Sequence, residues 1–234
     1  MSEWKARVFW TDVTTHSRDG GIQIELDGKP VKTPAKAALA LPTPELADVV
    51  AQEWRAQVGT IDPGSMPYTR MANVAIDKVA FRMPQVRAHV LEYAQTDLLC
   101  YRAAGPSALV DRQADVWDPL LGWFAGRTGA ALATGVGVMP VAQDVQALEK
   151  IAKTIDGFDP FQLAAFSEMV SLGGSFVIAL GVAERHITAP QGWAASRIDE
   201  DFQTEQWGYD EDANILSSAK RADFERAAAF FAGI

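Results

Sequence analysis

A chain of 234 residues, 48% hydrophobic and 22% charged, has the balance of a folded globular protein and is long enough for one large domain or two small ones. Its net charge of -9 argues against a dominant phosphate-backbone contact, which needs clustered Lys and Arg, so nucleic acid is not an expected partner. The one cysteine, Cys100, permits no intramolecular disulfide and no Cys-based metal cage, and fits a reducing compartment. Met1 to Trp10 carries Glu3, Lys5 and Arg7 among apolar residues, without the apolar run of a signal peptide. The stretch Met169 to Ala183 is interrupted by Ser171, Gly173, Gly174, Ser175 and Gly181 and is shorter than the roughly 20 residues that span a bilayer. It is expected to be a buried helix, with no membrane insertion.

In chain order, Val8, Trp10 and Val13, then Ile22, Ile24 and Leu26, alternate with polar residues as half-buried antiparallel strands do. Asp19-Gly20-Gly21 and Asp27-Gly28-Lys29-Pro30 supply hairpin turns, because Asp-Gly tolerates positive backbone dihedrals. Thr33-Pro34 and Leu41-Pro42 end this strand region. From Thr43 the period becomes helical: Thr43 can cap, Pro44 suits the first position, and Leu46, Val49, Val50 and Trp54 share a face. Gly59 and Asp62-Pro63-Gly64 break that helix, and a second is expected over 66–81. A linker near 80–84 precedes a helix opened by Pro84 that runs into Leu98-Leu99-Cys100-Tyr101. Further helices are expected over 107–127, 142–154, 161–185, 190–207 and 209–232, with a short strand or extended connection over 132–141.

Catalytic motifs are weak. Gly135-Val136-Gly137 lacks the third glycine of a dinucleotide loop, and Gly173-Gly174-Ser175 lacks the Lys-Ser/Thr of a P-loop. His16, His89 and His186 are far apart and fit no metal motif, which predicts surface or helix-face positions. Leu98, Leu99 and Tyr101 around Cys100 predict a buried thiol rather than a nucleophile. The acids are denser: Asp199, Glu200, Asp201 and Glu205, then Asp210, Glu211 and Asp212, make either a solvated helix face or a protein-docking patch. A rival reading is a small-molecule hydrolase using the carboxylates from Asp199 to Glu205 with His89 or Asp97. Among seven tryptophans, Trp54, Trp117 and Trp123 lie on apolar helical faces and read as core, whereas Trp207 closes the acidic run before Gly208 and reads as exposed.

Several ordered blocks resemble one family. They are Leu26-Asp27-Gly28-Lys29-Pro30-Val31-Lys32-Thr33-Pro34, Ala51-Gln52-Glu53-Trp54, Ile61-Asp62-Pro63 with Met66-Pro67, and Tyr93 with Thr96-Asp97-Leu98-Leu99-Cys100-Tyr101-Arg102. Gln113 with Trp117-Asp118-Pro119-Leu120, and Asp199-Glu200 with Gln203 and Trp207-Gly208, complete the set. In these the chain resembles the assembly chaperones of the F-type ATP synthase that bind its free alpha subunit. The resemblance implies an α+β fold, with a small β-containing N-terminal domain over 1–82 and a mostly α-helical C-terminal domain over 83–234. It implies a chaperone, monomeric when free, that uses no nucleotide, cofactor or metal and makes no covalent bond. The implied mechanism covers the apolar alpha-subunit interface until the beta subunit displaces the chaperone. The contact is expected around Glu200, Gln203, Glu205 and Trp207, while Asp27, Gly28, Trp54 and Asp97 are expected to serve the fold. Without an Arg- and Ser-rich transit peptide, a bacterial cytoplasmic member is the simpler expectation, and a processed mitochondrial matrix protein the second.

Overall fold

The computed structural model describes residues 7–208 and 210–234, and the fold class is α+β. The chain divides into two compact units: residues through Met83 with Asp159–Ala164 and Ala229–Ile234, and Pro84–Phe158 with Ala165–Ala228. The expected division at 82/83 is linear in sequence, whereas the first unit also takes these two short distant segments, for which local pattern carries no signal.

In the first unit β1 (Val13–Arg18) and β2 (Gly21–Leu26) form an antiparallel hairpin in register from Val13↔Leu26 to Arg18↔Gly21. β2 also pairs with β3 (Lys29–Pro30) and β4 (Ala40–Leu41), which makes it central. Asp27 and Gly28 both have positive φ, 49° and 75°, as a two-residue turn with right-handed strand twist requires. The Asp27 carboxylate accepts the Thr11 and Asp12 N–H groups at 3.0 and 2.9 Å, tying the incoming chain to that turn. Those backbone bonds, Asp12 first, hold its carboxyl below the usual aspartate range. Val8 and Trp10, read as strand residues, precede β1, and only Val13 of that set lies in it.

α1 (Pro44–Arg55) begins at Thr43, whose side chain accepts the Leu46 N–H and donates to the Gly233 carbonyl. α2 (Pro67–Asp77) has no capping side chain of its own at Met66. Glu53 of α1 supplies the cap instead, accepting the N–H groups of Tyr68 and Thr69 and the Thr69 hydroxyl, each at 2.7 Å. At the other end of α2, Asp77 accepts the Thr33 hydroxyl at 2.6 Å and the Ala35 N–H at 2.9 Å, fixing the segment after β3. Trp54 is half-buried against Trp10, rings 5.4 Å apart, so the expectation of a fully enclosed core aromatic is corrected. The packing side of this unit includes Phe230, stacked on Tyr68 and Phe161.

The second unit holds α3 (Met83–Gln95) from Pro84 onward, then β5 (Tyr101–Arg102), α4 (Ser107–Thr128), β6 (Gly135–Val136) and α5 (Val145–Lys153). β5 and β6 pair in parallel, which settles the ambiguous 132–141 segment as partly strand. α6 (Pro160–Gly173), in this unit from Ala165, α7 (Phe176–Ala183), α8 (Ala189–Ser196), α9 (Ile198–Trp207) and α10 (Glu211–Ala232), in this unit to Ala228, follow. Two expected long helices are therefore each broken. Over 161–185 the break is Gly174, at φ 66°, followed by Ser175, whose hydroxyl caps α7 by accepting the Ile178 N–H. Over 190–207 it is Arg197, between α8 and α9. α7 is buried from Phe176 through Val182, with Phe176 edge-on to Phe124 and Phe166. α8 lies so close to α7 that a Cβ on Gly192 would sit 2.6 Å from Val182 Cγ2.

Candidate functional site

α9 carries the four residues expected to meet a partner. Its first turn holds Asp199, Glu200 and Asp201, the acidic end that a helix N-terminus favours. Phe202 and Ile198 are buried, anchoring one face, while Glu200, Asp201, Gln203, Glu205 and Trp207 are exposed on the others. Trp207 is 81% exposed at the end of the helix, where Gly208 leaves the helical path at φ 95°. The exposed tryptophan thus stands beside the carboxylates, as its sequence position suggested. Of the acids Asp210, Glu211 and Asp212, the last two open α10.

Most of these acids have partners within the chain, which sequence reading missed. Glu205 makes a bidentate pair with Arg112 of α4, at 2.9 and 2.8 Å, across 93 residues. That guanidinium holds the Glu205 carboxyl below its ordinary range, and Glu205 in turn raises Arg112. Arg112 also lies over the Phe202 ring at 5.4 Å. Glu200 accepts from Arg197 at 2.7 Å, and Asp199 accepts the Gln113 amide at 2.6 Å while the other end of Gln113 takes the Ala103 N–H. Asp201 has no ion pair among the described residues; burial lifts its carboxyl, Arg197 opposes that, and Glu205 adds to it. The blocks around Gln113 and Asp199 share this bond, so residues far apart in sequence brace one surface.

The groups offered for the rival hydrolase are occupied elsewhere. Asp97 is fully buried, accepting the Leu99 N–H and the Ser175 hydroxyl on one oxygen and the Val177 N–H on the other, at 3.0, 2.8 and 3.1 Å. Burial outweighs these donors and pushes the carboxyl up to about 6. It locks the β5 approach to the start of α7. His89 is an exposed α3 residue beside Glu92 and edge-on to Tyr93, and His16 lies in β1 near Glu25. His186 stacks on the half-buried Trp123 with centroids 4.4 Å apart, so Trp123 is less enclosed than a core residue. Trp117 is completely buried and gives its indole N–H to the Ala195 carbonyl at 2.8 Å. Cys100 is buried, and burial first, then the Asp97 charge, pushes its thiol up to about 12, too high for a nucleophile at neutral pH. Among the described residues no three His, Cys, Asp or Glu side chains gather as metal ligands, and no helix is long and apolar enough to cross a membrane.

Comparison with known proteins gives this architecture a relation. A family model described as ATP12 chaperone protein matches residues 7–125. The crystal structure of Atp12 from Paracoccus denitrificans is 45% identical, covers 98% of both chains and superposes with a TM-score of 0.94. The Atu1473 protein of Agrobacterium tumefaciens, solved as a candidate chaperone, is 42% identical over 95% of this chain and 84% of its own, with a TM-score of 0.90. The mitochondrial protein atp12 of Schizosaccharomyces pombe is 26% identical over 224 residues, 91% of this chain and 77% of that protein. An α+β chain with these relatives is an assembly chaperone by class. It belongs to the ATP12 chaperone family, a family of ATP synthase assembly chaperones.

Proposed function

We propose that the protein binds the unassembled alpha subunit of the F-type ATP synthase and shields its apolar interface until the beta subunit displaces it. The observation that carries this reading is Trp207, 81% exposed at the tip of the acidic helix α9. A bare tryptophan costs solvation free energy in the isolated protein and is a strong anchor when a partner encloses it. The exposed acids around it favour encounter with a basic partner surface and add selectivity more than affinity, which suits a complex that must dissociate. Gln203, exposed between them, offers an uncharged hydrogen-bonding group to the same surface.

Light scattering by purified alpha subunit, with no nucleotide added, tests the reading. The protein should suppress aggregation in proportion to its concentration, and Trp207→Ser should weaken that suppression without lowering the melting temperature. Undiminished aggregation in the presence of the wild type would refute it. Glu200→Lys is a secondary probe, since it breaks the Arg197 pair as well as altering the outer surface.

A further inference from the structure

The second unit has an apolar groove of about 450 Å³ beside α9 that the acid-and-tryptophan surface does not use. Val116, Pro119 and Leu120 of α4, Ile187, Ala194 of α8 and Ile198 at the start of α9 line it. Leu120 and Ile198 are buried, whereas Val116, Pro119 and Ala194 are exposed, so the groove has a closed floor and an open mouth. Asp115, His186 and Gln191 also line it, and no Lys or Arg does. Asp111 stands one turn before Asp115, and Asp199, Glu200 and Asp201 follow Ile198 directly.

The region that carries this groove is acidic. Residues 84–234 carry 11 Lys and Arg against 20 Asp and Glu, which accounts for the entire net charge of -9. Neither Asp111 nor Asp115 has an ion pair among the described residues. Pro119 has no N–H, so the Asp115 carbonyl four residues earlier lacks its helical donor and remains an acceptor at the groove wall.

We infer that this groove holds a bulky apolar side chain carried on a Lys- or Arg-containing segment of the client polypeptide. Apolar walls favour burial of the side chain, the unpaired Asp115 carboxylate in the lining and the acidic region around it favour its cationic neighbours, and the Asp115 carbonyl accepts one N–H from the entering segment. The inference rests on the proposed alpha-subunit reading and gives it a second anchor, on α4 and α8, distinct from Trp207.

The test uses purified alpha subunit as the probe. Ala194→Trp fills the groove from an exposed position, and Asp115→Lys reverses its charge; melting temperatures establish that both variants fold. Ala194→Trp should weaken alpha-subunit capture at least tenfold, and Asp115→Lys severalfold with a flatter salt dependence. A Gln191→Cys variant labelled with a photo-crosslinker reports the occupant, since Cys100 is buried and stays unlabelled. The cross-linked alpha-subunit peptide should pair a bulky apolar residue with Lys or Arg. If wild type captures alpha subunit and Ala194→Trp captures it equally, the groove proposal is overturned while the alpha-subunit reading stands. A cross-link to an acidic segment, or to a second copy of this chain, overturns it too. If wild type captures no alpha subunit, the reading fails and the groove proposal falls with it.

Discussion

Residues 1–83 carry ten basic and ten acidic side chains, while residues 84–234 carry eleven and twenty. The acids of the two regions also do different work. In the first, Asp27, Glu53 and Asp77 accept backbone N–H groups and hold a turn, a helix start and a loop in place. In the second, Asp97 alone is buried among the described acids, while in α9 Glu200 and Glu205 pair with the half-buried Arg197 and Arg112, Asp199 accepts from Gln113, and Asp201 faces solvent. A carboxylate among backbone donors serves the fold, whereas one in a screened surface pair contributes little to stability and remains available to a partner. The comparison therefore separates acids that order the first region's own turns from the acids of α9, which present charge outward.

The largest break in that contrast should come from the buried side of the second region. Trp117→Ala removes a fully buried ring and leaves the Ala195 carbonyl without its donor, so urea unfolding should show a loss of about 3–5 kcal/mol. Next is Asp97→Asn, which places an amide donor against donors that a carboxylate accepted; a loss of about 1–3 kcal/mol is expected. Its pH dependence has a definite sign. With the folded-state value raised from 3.8 to about 6, the folded chain holds the proton more tightly than the unfolded one. The corresponding stability is full below about 3.8 and is lost as pH rises through about 6, so the margin of wild type over the variant should be widest near the acid end of that window. A margin constant across the window would mean that Asp97 stays ionised throughout. The smallest effect belongs to the first region: Thr43→Ala removes the α1 cap and the bond to the Gly233 carbonyl and should cost about 1 kcal/mol in a thermal melt.

Much of the first unit was readable because its determinants are local. Asp27-Gly28 needs only two residues to dictate a turn, and Thr43-Pro44 needs only its own helix to mark a start. The exposed Trp207 was legible for the same reason, standing between an acidic run and a terminating glycine. Reading failed where one helix is stopped by another. One helix is expected through Gly174 and Ser175 despite the small residues there, yet Ser175 caps α7 while its hydroxyl donates a hydrogen bond to Asp97, 78 residues away. Nothing around Glu53 in the sequence signals its capping role for α2, since its partners lie 15 and 16 residues on.

By itself the sequence determined the α+β class, the hairpin turns, the acidic character of α9 and the family, because each depends on residue type over short spans or on ordered blocks. Only the tertiary structure decided which acids are free, that Trp54 is half open, that short segments after residue 158 and near the end join the first unit, and that α4, α8 and α9 leave a groove between them. Periodicity says that a side chain will be buried or exposed, but the identity of its neighbour follows from helix packing across scores of residues, where burial free energy is indifferent to which apolar surface supplies the contact.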